Sequence, residues 1–399
     1  MAILAVNAGS SSLKFSMHPV LQGQVQASVL VGNIEGLEPG GSPVMGWNYQ
    51  GLAQSQALSA PSDAPGGDTF QLALKSLRQL LTSLSGLPAI EAVAHRVVHG
   101  GQIFRASVVV TQDILEQLAA LNSLAPLHQP HNVAGIRAFL AAFADLPQVA
   151  CFDTAFHATL AEVDYAFALP QELSAQGIRR YGFHGLSYQY VIGTLLQHTP
   201  RANARVLMAH LGNGASLCAA SEGLSRATTM GFSALEGLMM GTRTGSLDPG
   251  VLLYLLEQGW DHKRLQTLLY KQSGLLGVSG ISADMRRLRQ DGSVAAQKAI
   301  ALFIHQVVRE SGALTACLGG LDVLAFSGGI GEHDVATRRD VCAALAYLGV
   351  RVDAGLNAQA TGSQTLAIHA ADSAVEVWVV PTDEGRVAAA EAARLLAAA

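Results

Sequence analysis

Cationic residues are scarce in this chain. There are 25 Lys+Arg against 30 Asp+Glu among 399 residues, a formal net charge of −5. A sequence-independent nucleic-acid binder needs a basic surface, so no nucleic-acid partner is expected. Long apolar runs are missing as well. None reaches the ~20 residues needed to cross a bilayer, so no membrane span is expected. The cysteines are few and scattered (Cys151, Cys218, Cys317, Cys342), with no C-x-x-C pair. They read as free buried thiols in a reducing cytosol. The opening Met-Ala-Ile-Leu-Ala-Val-Asn has neither a basic n-region nor an A-x-A site, so a cytoplasmic protein without a secretory signal is expected. Pro/Ser linkers and low-complexity tracts are lacking, so any domains pack closely or are joined by short connections. What is abundant is apolar: 50% hydrophobic and only 14% charged residues. That excludes a disordered chain and implies a large core, and the length allows two domains.

Three segments share a pattern, an apolar strand running into a Gly/Asn/Ser turn. They are Ile3–Val6 before Asn7–Ser12, Val206–Ala209 before His210–Gly214, and Val323–Phe326 before Ser327–Gly331. Continuous apolar strands suit sheets covered on both faces. The first two look like copies: Met208-Ala209 stands 204 residues after Leu4-Ala5, and Ser216-Leu217 stands the same distance after Ser12-Leu13. A second short strand follows each turn, so each half is predicted to open with a β-hairpin. Helical spacing predicts helices over Asp68–Ser85, Asp113–Leu121, Asn132–Phe143, Leu252–Glu257, Ala295–Cys317, Arg338–Leu348 and Glu384–Ala399. Alternating strands and helices indicate an α/β architecture.

The loops carry the chemistry. Asn7-Ala8-Gly9-Ser10-Ser11-Ser12-Leu13-Lys14 offers small residues, hydroxyls, backbone N–H groups and one ammonium, a mixture that suits a phosphate; an ordinary hairpin turn is the plainer alternative. It is not a Walker A sequence. His210-Leu211-Gly212-Asn213-Gly214 and Gly328-Gly329-Ile330-Gly331-Glu332 follow strand ends, where open α/β sheets bind ligands. Together the three loops suggest a nucleotide cradled by several turns. Arg96 and Arg243 are set among apolar residues and glycines. A buried guanidinium needs an anion, which is either an internal carboxylate or an anionic substrate gripped bidentately. Asp153 after the run Val149–Cys151, and Glu384 after Val375–Val380, are oxygen donors of the kind Mg2+ takes. His128 and His184 lie in loops, and His210 follows a strand; each is structural or catalytic.

Taken in order, these motifs resemble the acetokinase family of the acetate- and sugar-kinase, heat-shock-ATPase and actin superfamily. The likeness rests on Val6–Phe15, His95–Gly101, Pro126–His128, Phe152–His157, Ile178–Ser187, His210–Gly214, Met230–Arg243, Gly280–Arg286 and Gly328–Glu332, and spans nearly the whole chain. It implies two duplicated RNase H-like α/β domains with a cleft between them. The domains expected are 1–153, completed by the helix 384–399, and 154–383, the latter binding nucleotide and forming a homodimer. It implies reversible transfer of a phosphoryl group from ATP to acetate, giving ADP and acetyl phosphate, with Mg2+ and with Mn2+ able to substitute. In that pattern Arg96 and Arg243 flank the carboxylate and the phosphoryl group. Asp153 is the catalytic carboxylate, and His184 supports the phosphoryl with His128 and His210 nearby. Asn7 and Glu384 place the metal. Lys14, Ser10, Ser12, Asn213, Gly214, Gly329 and Gly331 bind phosphates, Asp284 and Arg286 border the adenine, and Val98, Leu127, Phe183 and Ala234 form the acyl pocket.

This sequence departs from the family pattern at four places. Ala234 replaces a usual proline, leaving room for one more methylene and making propionate the alternative substrate. Ser246 stands where an acid is usual, Gln129 where asparagine is usual, and Asp383-Glu384-Gly385 replaces Asn-Glu-Glu. An acid of ordinary pKa near 4 is ionised at neutral pH, so the acceptor needs no base. The difficulty is bringing an anion to a polyanion, and positive charge with alignment answers it. Asp153 is therefore expected to orient the metal or Arg96 without taking a proton, in a direct in-line transfer.

Overall fold

A computed structural model of the protein describes residues 1–38, 40–58, 69–126 and 128–398. The chain divides into two units, Met1–Ala155 with Asp383–Ala399, and Phe156–Thr382.

The first unit is built on a nine-stranded sheet. Its strands are β1 (Ala2–Ala8), β2 (Ser12–Leu21), β3 (Gln24–Val25), β4 (Leu30–Glu35), β5 (Val44–Tyr49), β6 (Leu52–Ala57), β7 (Ile90–Val97), β8 (Val108–Val109) and β9 (Gln148–Phe152). The order is β6-β5-β4-β2-β1-β7-β9-β8, with β3 beside β2. The second unit holds six strands: β10 (Val206–Leu211), β11 (Ala215–Ser221), β12 (Leu224–Thr228), β13 (Val323–Ser327), β14 (Leu366–Ala367) and β15 (Glu376–Val379). Their order is β12-β11-β10-β13-β15-β14.

The duplication is plain in the pairing. β4-β2-β1-β7-β9-β8 and β12-β11-β10-β13-β15-β14 both run antiparallel, antiparallel, parallel, parallel, antiparallel. The constant 204-residue spacing does not survive the hairpin registers, however. Leu4 faces Met17, whereas Met208 faces Cys218, so the partner lies three residues earlier than a uniform shift requires. The second hairpin turns within Gly212–Gly214, between paired Leu211 and Ala215. The first needs Gly9–Ser12, between paired Ala8 and Leu13.

Strand parity decides what each face does. Leu4, Val6 and Ala8 pack into one core with Ala73, Leu74, Leu77 and Leu80 of the helix Thr69–Ser83. Each such fully buried leucine contributes about 2 kcal/mol. Ile3, Ala5 and Asn7 therefore face the other way, where the helix Glu384–Ala397 packs on β1 and β7. Lys14 is opposite Asn7 in the β1–β2 register and shares that face. The helix predicted from Asp68 begins at Thr69, and Asp68 itself lies outside the described residues. Arg338–Leu348 is a helix from Val335 to Ala344 followed by a 3-10 turn. No described helix is long and apolar enough to cross a membrane.

Candidate active site

Each unit carries its own constellation at the C-terminal edge of its parallel strands. In the first, Arg96 is the penultimate residue of β7, and Asp153 follows β9 with its N–H donating to Val97 O at 3.0 Å. Arg96 Nε donates to Asp153 Oδ1 at 2.9 Å and Nη2 to Oδ2 at 2.7 Å, a bidentate fork. Arg96 Nη1 meets Glu384 Oε2 at 2.7 Å. Burial opposes the charge on Arg96, but Asp153 and Glu384 outweigh it and hold its pKa above the ordinary value. The internal carboxylate left open by the sequence is thus present for Arg96. One guanidinium against two carboxylates leaves this trio at net −1.

Glu384 is the first residue of a helix whose cap, Asp383, accepts from Arg386 N–H at 2.9 Å. Gly385 lets that helix approach β2. A Cβ there would collide with Ser16 Oγ and come within 3.2 Å of His18 Nε2, which explains the departure from the family pattern. Gln129 is also explained. Fully buried, it accepts from His99 N–H at 3.2 Å and donates to His99 O at 3.0 Å, clamping the main chain after Val98. Asn132 adds a bond from Val98 N–H at 3.0 Å and one to Ala8 O at 2.8 Å, tying the Asn7 and Arg96 strands together. His128 caps the helix Gln129–Ala142 by position. Leu127 lies outside the described residues. Ser10 and Lys14 are exposed and Ser12 is half-buried, around a turn closed by Gly9 N–H to Ser12 O at 2.8 Å.

The second unit gathers His184, His210, Gly214 and Arg243. His184 opens the helix Gly185–His198 in a left-handed conformation, φ 57°, a position that costs a non-glycine residue about 1 kcal/mol and that clusters at functional sites. Its ring stacks on His210 with centroids 4.3 Å apart. His184 Nδ1 is 2.8 Å from Ser216 Oγ, and His210 Nδ1 is 2.8 Å from Ser187 Oγ. His157 seats this loop: its buried ring donates from Nε2 to Phe183 O at 2.9 Å and pairs through Nδ1 with Ser225 Oγ at 2.8 Å. Gly214 has no side chain for good reason, since a Cβ would lie 3.3 Å from His184 Nε2 and 3.8 Å from Arg243 Nη1. Arg243 Nη1 donates to Ala234 O at 3.0 Å. Ser246, where an acid is usual, accepts from Gly237 N–H at 3.2 Å and closes the loop that carries Ala234.

A cavity of about 770 Å³ opens beside this cluster, within the range of small-molecule sites. Asn213, Asp284, Arg286 and Gly329 line it, together with Arg289 and His333. Asp284 caps its helix and pairs with Arg286 Nη2 at 2.6 Å, and that bond holds the carboxyl below the usual range. The segment read as a glycine turn is the helix Gly328–His333, so Gly329 faces the cavity while Gly331 is buried against Phe326. Sequence reasoning missed Ser216, Ser187 and Arg289. Ser216 was signalled by its place opposite His210 in the β10–β11 register, and Arg289 by its one-turn spacing from Arg286.

Two copies of one α/β half, with a nucleotide-sized cavity at strand ends, one arginine at a strand end and another in a loop beside the histidine pair, fit a nucleotide-dependent phosphotransferase. The chain belongs to the acetokinase family, whose model matches residues 2–390. It is 47% identical to an acetate kinase from Rhodopseudomonas palustris over 98% of each chain. Among solved structures it resembles a propionate kinase from Francisella tularensis subsp. tularensis SCHU S4 (36% identity, TM-score 0.89, 98% of each chain). It also resembles Porphyromonas gingivalis acetate kinase (33% identity, TM-score 0.88, 99% of each chain).

Proposed function

We propose that the protein transfers the terminal phosphoryl group of ATP reversibly to acetate, forming acetyl phosphate and ADP by direct in-line displacement. The observation that carries this reading is the cavity lined by Asn213, Asp284 and Gly329, which lies beside the Gly214 turn against Arg243 and His184. The nucleotide occupies the cavity, its base toward Asp284 and Arg286 and its phosphates toward Asn213, Gly214 and Gly329. Lys14, Ser10 and Ser12 supply further phosphate donors. Arg243 and Arg96 meet charge on the moving phosphoryl group, and the His184 ring, set by Ser216, donates to it. Acetate arrives ionised and no residue need remove a proton. Asp153 therefore orients Arg96.

A kinase of this family works with a divalent cation, and we assign Mg2+, with Mn2+ able to replace it. Among the described residues no three His, Cys, Asp or Glu side chains group as a metal site. Mg2+ keeps waters and is held by one or two carboxylates plus phosphates. Asn7 and Glu384 share a face, and the excess negative charge around Arg96 suits a cation there. When bound, it would neutralise phosphate charge.

The family pattern assigns Val98, Phe183 and Ala234 to the acyl pocket, and the short side chain of Ala234 makes propionate a second substrate. A homodimer through the second unit is supported by the helix Pro249–Glu257, which buries none of its residues and exposes Leu253 at 63% and Tyr254 at 59%. All four cysteines are free thiols, Cys151, Cys218 and Cys342 buried as expected but Cys317 exposed on the helix Val294–Leu318, and free thiols support a reducing, cytoplasmic setting. Trapping acyl phosphate with hydroxylamine, using ATP, Mg2+ and acetate, propionate or butyrate, tests the reading. Acetyl hydroxamate is expected in the largest yield per enzyme, with propionyl next. ATP hydrolysis without any hydroxamate would overturn it.

A further inference from the structure

We propose that Arg180 and Glu236 are positioning residues that set acyl-chain selectivity by closing the neck of the loop carrying Ala234. The inference rests on the reading of Ala234 as a wall of the acyl pocket. Arg180 Nη2 meets Glu236 Oε1 at 3.0 Å. Its Nη1 fans over the main chain on the opposite side of the same loop, 3.0 Å from Thr229 O and 3.1 Å from Met230 O. One guanidinium therefore holds both strands of the neck.

Two further observations show how tightly that neck is shut. Tyr181 N–H, next to Arg180, donates to Gly231 O at 2.9 Å. Any side chain at Gly231 would run into the Glu236 carboxylate, so residues 231 and 236 are in contact across the loop. Phe232, Ser233, Ala234 and Leu235 are left as a four-residue tip. Beyond the neck, Gly237 (φ 101°) is locked both ways to Ser246, through N–H to Oγ at 3.2 Å and from Ser246 N–H to its carbonyl at 2.8 Å. The tip can shift only if the Arg180–Glu236 clasp opens.

The tip does two jobs. It presents the Ala234 side chain, and its carbonyl anchors Arg243 Nη1 at 3.0 Å. A loosened neck therefore changes the space available to the acyl chain and the placement of one catalytic guanidinium together. None of the residues of the neck lines the nucleotide cavity. The consequence falls on the acid and on the transfer step, and leaves the part of ATP seated in the cavity untouched.

The test compares Glu236→Gln, Glu236→Asp and Ala234→Pro in the full-length protein, measuring KM for ATP, acetate and propionate, and kcat/KM for both acids. Glu236→Gln keeps the shape and removes the charge that holds Arg180. It is expected to raise KM for the acids about three- to fivefold, the size of a partly exposed ion pair. It should move the propionate-to-acetate ratio of kcat/KM by a similar factor and leave KM for ATP unchanged. Glu236→Asp, which restores the charge, recovers part of the selectivity. If Ala234→Pro shifts the ratio while Glu236→Gln does not, the clasp does not set selectivity and the proposal is wrong. If neither variant shifts it, the loop is not the acyl wall and the underlying reading falls with the proposal. Equal changes in the KM of ATP and of both acids would show a general structural role, also against it.

Discussion

The two arginines that the sequence singled out are held in opposite ways. Arg96 sits between two carboxylates, at 2.7 Å from Asp153 and 2.7 Å from Glu384. Arg243 is anchored to a main-chain carbonyl, 3.0 Å from Ala234 O. In the first unit a guanidinium is the hub of an ion-pair network, and its removal strands an acid that is 3% exposed. In the second, a charge is aimed by a loop through the Ala234 carbonyl. The same residue type, assigned by the proposal to one phosphoryl chemistry, is the hub of an ion-pair network in one half and is aimed by a loop in the other.

That contrast can be broken most forcefully by alanine at each position. Both Arg96→Ala and Arg243→Ala should lower kcat about a thousandfold, as when a preorganised donor to the transition state is lost. They should part on stability. Arg96→Ala removes the bidentate partner of the buried Asp153, costing about 2–4 kcal/mol after allowance for the exposed side of the pair. Arg243→Ala should cost under about 1 kcal/mol. Chemical denaturation of the two variants measures this, and equal losses would erase the distinction.

Buried histidines sharpen the comparison from the other side, His95 in the first unit and His157 in the second. His95 and His157 are both pushed down to about 4 by burial, which outweighs their hydrogen bonds to Gln148 and to Phe183 O. A histidine with a lowered folded pKa binds more protons unfolded. Its contribution is complete above about 6.5 and disappears as pH falls toward 4. Thermal stability should fall across that window. His95→Gln should reduce the slope from the first unit alone, and an unchanged slope would show that His95 is not buried neutral. The smallest effect belongs to Ala234→Pro, which should favour acetate over propionate by about tenfold, the low end of the range for one methylene.

Much of the fold was legible because buried parallel strands are continuous apolar runs, as in Val206–Leu211 and Val323–Ser327, all but one of whose residues are buried. The duplicated hairpin was visible for the same reason. The extension β4–β6 was not, since β6 is exposed at every position and reads as polar loop. The helix Gly185–His198 was hidden by the glycines and the left-handed His184 at its start. The candidate residues were legible as motifs. Their partnership was not: Arg96 and Glu384 are brought together only because the last helix crosses back onto β1 and β7. Likewise the Gly328–Glu332 motif marked a ligand site but gave no sign that Gly331 points into the core.

Charge and alignment without a proton-accepting base is the core of this account, and Asp153→Asn tests it most directly. The amide keeps the size of the side chain, removes its charge and accepts only one of the two Arg96 bonds. The dependence of rate on pH should keep its form, while the Mg2+ concentration needed for half-maximal rate rises severalfold. Loss of one limb of the pH profile at an unchanged Mg2+ requirement would contradict the account and make Asp153 a base.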